Sequence, residues 1–447
     1  MLDTSAAQER AAALIDRARR AGADAADAIY LADASESVAV RLGKLEDLER
    51  SESEHVSLRV FAGKGSASIG SSDLGDEALD ELAARAVAMA RAAPEDPYAA
   101  LAPEDMLARG GLPDLDLAEP AAPTPAELRA MAEAVEAAAL AVPGVTNSQG
   151  GSASAGRTVV ALATSHGFAG SYETTSHGLS ASVVAGEGAG MQRDYAWRSA
   201  RHRADLPGAE EIGKLAGERA VARLAPGRLA SGPMPVVFDP RVGGTLVGHL
   251  LSAMAGSAIA RRASFLLGHD EAQVFPQDIT IVDEPLRPRG LRSKPFDGEG
   301  LPTARRVLVE NGRLAGWLMN AAAARQLGGK PTGHATRGGG APGIGATNTH
   351  LAAGALSPAE LIADIADGVY VTELIGQGVN GVTGDYSRGA SGVRIVNGQL
   401  AGPVAEFTVA GNLIDMFRQL RAANDLEWYR ALNVPTLRVD GMTVAGD

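Results

Sequence analysis

An α+β fold follows from three features of this 447-residue chain. Strand-like alternation and helix-like periodicity are mixed through the second half of the chain. Strand-forming stretches outnumber the crossover helices that a parallel sheet would need. Two Asn-Gly dipeptides, Asn311-Gly312 and Asn397-Gly398, stand between apolar runs and mark antiparallel hairpins. The expected architecture is an N-terminal α/β segment, a strand-rich middle segment with helices, and a C-terminal mixed α+β domain holding both hairpins.

Taken in order, Ser5 and Gln8 have capping-box spacing, and Ala11, Leu14, Ile15 and Ala18 follow on one helical face. Val38, Val40 and Leu42, then Val56, Leu58 and Val60, alternate as half-buried strands do. A second helix carries Leu74, Leu79, Leu82, Ala86 and Met89 and stops at Pro94. Seven prolines between residues 94 and 125 mark a linker. Thr124, Pro125 and Glu127 then supply a cap, a first-turn proline and a capping-box acid for a helix running to about Val142. Residues 145–200, rich in Val, Thr and Ser, read as strands, and a helix at 207–224 precedes a second linker at 225–233. Domains are therefore expected at 1–118, 119–228 and 229–447.

Further helices are predicted at 241–260, 358–367 and 412–423. In the first of these, Gly248, Ser252, Ala253 and Gly256 recur at helical spacing and should let another backbone approach. The last places Leu413, Met416, Phe417 and Leu420 on one stripe that must be buried somewhere, most simply in its own domain.

Composition narrows the function. Forty-one basic residues against 54 acidic ones leave a formal charge of −13, which disfavours broad nucleic-acid binding. Aromatics are 4% of the chain, too few for stacking platforms. No apolar run reaches the ~18–20 residues of a membrane span, and MLDTSAAQER is not a secretory signal, so a cytoplasmic location is expected. Cysteine is absent, which removes disulfides, thiol nucleophiles and thiolate metal ligands.

The remaining catalytic patterns are also missing. The eight histidines, at 55, 166, 177, 202, 249, 269, 334 and 350, are never closer than 11 residues, and no His-Glu pair occurs. A zinc-peptidase helix needs both. No G-x-S-x-G elbow is present, and Thr164-Ser165-His166-Gly167 reads as a turn. Gly376-Gln377-Gly378-Val379-Asn380-Gly381 matches G-x-G-x-x-G, but VTGDYSRGASG follows it with no helical pattern, which argues against a dinucleotide site. RGGGAPGIG (337–345) reads as a mobile loop.

The segment GVNGVTGDYSRGASGVRIVNGQLAGPVAEFTVAGNLIDMF (378–417) closely resembles the C-terminal signature of the PmbA/TldE branch of the TldD/PmbA family, once called modulators of DNA gyrase. GLR (290–292), SKPFDGEGLPT (293–303) and GHLLSAMAGSAIARRASFL (248–266) carry the same resemblance. It implies a metallopeptidase complex acting on unfolded or modified peptides. In such a complex a TldD-type subunit carries zinc on an H-E-x-x-x-H helix with a further Cys. The matching positions here are Gly244, Thr245 and His249, so only the second histidine is retained. The resemblance thus implies no metal and no catalytic residue in this chain, with zinc expected in a TldD-type partner forming a heterodimer. A homodimer of the isolated chain is the alternative assembly. A regulatory adaptor and an independent hydrolase of unidentified mechanism are the alternative functions. Gly378, Asn380, Gly381, Asp385, Tyr386 and Arg388 are the candidate peptide or partner contacts, because polar groups on glycine-flanked turns often meet ligands. Asp385 and Arg388 read equally as a structural ion pair.

Overall fold

A computed structural model describes residues 1–446. The first half is one six-stranded antiparallel sheet with four helices against it. The elements are α1 (Thr4–Arg20), β1 (Ala25–Arg41), β2 (Lys44–Ala62), β3 (Gly65–Ser71), α2 (Asp76–Ala92), α3 (Pro125–Leu140), β4 (Val145–Thr164), β5 (Ala169–Ala185), β6 (Gln192–Ala200) and α4 (Ala209–Val221). The strand order is β3-β2-β1-β4-β5-β6. Strands from either side of the proline-rich stretch pair directly, from Asp27↔Thr164 to Val40↔Gly151. α1 and α2 bury Leu14, Leu79 and Ala86 against Tyr30 and Leu58. α3 and α4 bury Leu128, Val135 and Ile212 against Val38 and Leu179.

The predicted apolar faces hold, with local corrections. Asp3, not Ser5, caps α1, its carboxylate accepting from Ala6 N at 2.8 Å. Ser5 already lies inside the helix, so it cannot act as the flanking cap. Leu42 takes a left-handed turn conformation (φ 51°) and is exposed instead of continuing the strand. Met89, in the last turn of α2, is exposed, while Val87 and Ala90 make the buried contact. The capping box of α3 forms as predicted. Pairing of β2 with β3 covers only Val56–Ala62, so the outer edge of residues 44–55 is open.

The second half begins with β7 (Gly232–Phe238), α5 (Pro240–Ala253) and α6 (Gly256–Ala260). β7 runs parallel to Asp367–Ile375, which pairs antiparallel with Asp385–Val396, and that strand with Gln399–Asn412. Leu437–Ala445 pairs with both β7 and Gln399–Asn412, closing a five-stranded ring around Phe238, Tyr386, Phe407 and Val439. A smaller sheet holds Ile281–Asp283, Arg306–Glu310 and Thr349–Leu351. Both Asn-Gly turns form, with φ near 48° at Asn and 76–77° at Gly.

Three predicted elements differ. The helix over 241–260 breaks at Met254–Ala255, because Leu318 exchanges main-chain hydrogen bonds with Met254 and Gly256. The helix at 358–367 is a single capped turn, Pro358–Ile362. The helix at 412–423 ends at Arg418, and Leu420–Ala422 becomes a strand paired to Leu437–Val439. Leu413, Met416, Phe417 and Leu420 are nevertheless all buried in their own core. The 337–345 segment is not a free loop at its start: Arg337 is buried and paired with Asp27 of β1. Among the described residues no helix is long and apolar enough to cross a membrane.

Candidate functional site

α5 starts at Pro240, with the Asp239 carboxylate accepting from Arg241 N, and lies between the ring of strands and a cleft facing the first sheet. Gly244, Thr245 and Gly248 line the cleft. His249 does not. Five residues at about 100° each turn it roughly 140° away from Gly244. Its ring instead meets the Tyr386 ring edge-on, at 6.3 Å between centroids.

This inner cluster holds unused polar atoms. His249 Nε2, the Tyr386 hydroxyl and Arg388 Nε are all buried without a hydrogen-bond partner among the described residues. Burial, reinforced by the Arg388 charge, lowers the His249 pKa. Burial pushes the Tyr386 phenol up to about 12, eased by the same guanidinium. The cluster is a neutral imidazole and a neutral phenol beside one cation.

The structure brings Tyr386 and Arg388 together with His249 and separates them from the other candidates. Residues 386 and 388 share a strand face, while Asp385 lies on the other. The Asp385–Arg388 ion pair therefore does not form. Asp385 instead accepts from the Thr383 hydroxyl at 2.7 Å and from Asn412 Nδ2 at 3.3 Å, and these bonds hold its pKa down. Asn380 accepts from Val382 N and Thr383 N, and Phe265 N donates to the Gly381 carbonyl. A Cβ on Gly378 would overlap the Ser387 carbonyl, so this close approach requires glycine. Gly378, Asn380, Gly381 and Asp385 thus build the turn itself.

The positions matching a zinc helix do not suit the ion. Gly244 offers no ligand, and the Thr245 hydroxyl donates to Val242 O at 2.7 Å. Among the described residues no three His, Asp or Glu side chains gather as metal ligands would.

The cleft also carries residues that no sequence motif marks. A cavity of about 550 Å³ has Arg201, Arg292 and Arg430 in its wall and no carboxylate. Arg201 follows β6 and donates to the carbonyls of Thr175 (2.9 Å), Gly290 and Leu291, tying the first sheet to the second half. Burial lowers its pKa. Arg430 donates to Arg241 O at 2.7 Å and lies 5.0 Å from the Trp197 ring. Arg292 is exposed. An adjoining cavity of about 390 Å³ shares Arg201 and Arg292 and adds Lys294, whose pKa burial lowers. The available signal was LRPRGLRSK (286–294), four basic residues in nine within an acidic chain.

Profiles of three PmbA/TldA metallopeptidase domains match this chain: domain 1 at residues 26–90, the central domain at 118–224 and the C-terminal domain at 231–446. The chain is 37% identical to Metalloprotease PmbA of Escherichia coli O157:H7, covering 92% of this chain and 90% of that one. It is 33% identical to the PmbA homolog of Haemophilus influenzae, covering 97% and 94%. Its fold is similar to that of a crystallised protein described as a modulator of DNA gyrase from Bacteroides thetaiotaomicron, with a TM-score of 0.91, 28% identity and full coverage of both chains. TldE from Thermococcus kodakarensis shares the fold, with a TM-score of 0.83 at 20% identity over 98% of this chain and all of that one.

Proposed function

Because the chain belongs to the PmbA/TldD metallopeptidase family, we propose that it is the non-metal subunit of a TldD/TldE-type peptidase pair acting on unfolded or modified peptides. In this reading a TldD-type homologue supplies the zinc and the hydrolytic chemistry. This chain supplies walls, a strand edge and positioning. The observation that carries the proposal is the face of α5: Gly244, Thr245 and Gly248 present no metal ligand to the cleft, and His249 turns inward to Tyr386. A site holding zinc on three protein donors cannot be built from one imidazole.

Two features support a peptide substrate. The cleft beside α5 is large enough for several side chains. The open edge of β2 over residues 44–55 offers unpaired main-chain donors and acceptors, which add an extended strand with little regard to its sequence. The test is purification with and without a TldD-type homologue, followed by metal analysis and peptide cleavage. The expected result is no stoichiometric zinc and no cleavage for the chain alone, with both appearing in the pair. One tightly bound zinc per isolated chain would overturn the proposal.

A further inference from the structure

An acidic protein has gathered three guanidinium groups in a cleft without a carboxylate among them. Arg201, Arg292 and Arg430 wall the larger cavity, and Arg292 also lines a third cavity, of about 460 Å³, that again has no acidic residue. None of the three forms an ion pair among the described residues: Asp205, which lines a neighbouring cavity with Arg201 and Arg430, is paired with Arg289. Arg201 spends its donors on main-chain carbonyls. Arg430 gives one bond to Arg241 O and leaves Nε buried and without a partner. The exposed Arg292 side chain makes no hydrogen bond or ion pair among the described residues. In the adjoining cavity the one acid, Asp297, already accepts from Glu299 N and Leu301 N on one oxygen and from Ala335 N on the other. Lys294 there donates to Ala335 O at 2.9 Å.

Three cationic side chains line one cavity with no acid in its wall, so an incoming anion meets no competing carboxylate there. A carboxylate fits a guanidinium's paired donors, and these charge-assisted bonds are the stronger kind. The neighbouring walls are apolar or small: Leu251, Ile344, Ala346 and Leu432. That mixture suits a peptide carrying an anionic group more than a nucleic acid. Trp197, the one aromatic ring in the cleft wall, is already engaged with Tyr429 and Arg430. A polyanion would also meet the net charge of −13 at long range.

We propose that this cleft is a carboxylate-recognition site that selects peptides bearing acidic side chains or a free C-terminus, with Arg292 as the accessible contact and Arg201 and Arg430 as the half-buried part of the same positive wall. The inference rests on the peptidase-subunit reading for its choice of a peptide, but its test does not need cleavage. Three fluorescent octapeptides of one sequence serve as probes. The first has two Glu and an amidated C-terminus, the second has Gln at those positions and is amidated, and the third has Gln and a free C-terminus. Anisotropy titrations use the full chain, alone and in the reconstituted pair.

The expected result is that the first or third peptide binds about tenfold more tightly than the second, the size of one good charge-assisted contact. The preference should shrink with added salt and with Arg292→Gln, and be only partly kept by Arg292→Lys, which retains the charge but not the paired donors. Circular dichroism should show both variants folded, since this side chain holds nothing in place. Preference for the first peptide assigns side-chain recognition, and preference for the third assigns C-terminal recognition. Equal affinity for all three, binding of none, or a preference untouched by Arg292→Gln overturns the inference. So does an oligonucleotide that binds more tightly than every peptide. If the pair cleaves all three peptides alike without binding preference, the subunit reading survives and the carboxylate site does not. If the preference holds but the pair cleaves nothing, the peptidase reading fails alone.

Discussion

His249 lies between a phenol and a guanidinium with its Nε2 buried and unpartnered, so protonating it would place two cations side by side in a poorly solvated pocket. As a neutral ring it packs edge-on against Tyr386. Removing the Arg388 charge should therefore raise the His249 pKa. Imidazole NMR titration of Arg388→Gln against the parent chain measures this, and an unmoved or lowered value would show that the guanidinium does not govern the ring. The same geometry revises the reading of the signature. Spacing alone made Asp385 and Arg388 look like partners, yet strand parity sends them to opposite faces, and Asp385 serves the turn that Thr383 and Asn412 complete.

At the scale of elements, the α5–α6 segment shows how one pattern of small residues serves two purposes. Gly256 is tightly enclosed, and an added Cβ would lie 3.1 Å from Ala323 Cβ, Leu318 O and Met319 Cγ. A Cβ on Gly248 would meet nothing within 4 Å, because that residue faces the cleft. Helical spacing makes both look like packing positions, but only Gly256 is one. Gly256→Leu should cost roughly 1–3 kcal/mol through overpacking. Gly248→Ala should cost nothing and gain a few tenths of a kcal/mol in helix propensity, at most about 1. Differential scanning calorimetry separates the two, and equal melting points would contradict the assignment of faces. The open edge of β2 is similarly informative. Glu46, Asp47, Glu49, Arg50 and Glu52 stud it with exposed charge, which discourages indiscriminate strand pairing while leaving the main chain available.

Across the whole molecule, the two halves meet through buried charges. Asp27 of β1 accepts from Arg59 Nε of β2 at 2.7 Å and also binds Arg337 of the second half. Glu299 faces Arg59 at 3.9 Å and accepts from Ala321 N at 2.7 Å. Asp27→Ala would strand two buried guanidinium groups, at a cost of about 3–5 kcal/mol. Thermal unfolding should show that loss, and a melting point within a degree or two of the parent would sink this account of the interface. Burial pushes the Glu299 carboxyl up to about 7 from 4.5, with Arg59 opposing and Asp297 adding to the shift. Between those values the folded chain holds a proton that the unfolded chain has released. Stability from this group is therefore full at the acid end and declines as pH rises through the window. Glu299→Gln keeps an acceptor for Ala321 N and should make the decline in melting temperature between pH 5 and 8 shallower; parallel curves would refute this.

The sequence by itself determined the fold class, the buried face of α1, the capping box of α3, both Asn-Gly hairpins and the family. Each rests on local chemistry: helical or strand periodicity, a capping box, a turn needing positive φ, or a long contiguous signature. Tertiary structure decided the rest. It broke the 241–260 helix, because Leu318, more than 60 residues away, takes the backbone bonds at Met254 and Gly256. It turned Leu420 into a strand residue through pairing with Val439. It brought Arg201, Arg292 and Arg430 to one wall from three distant stretches of chain. No local pattern encodes that meeting, because a site assembled across a domain interface is specified by how surfaces pack and not by the order of residues along any one of them.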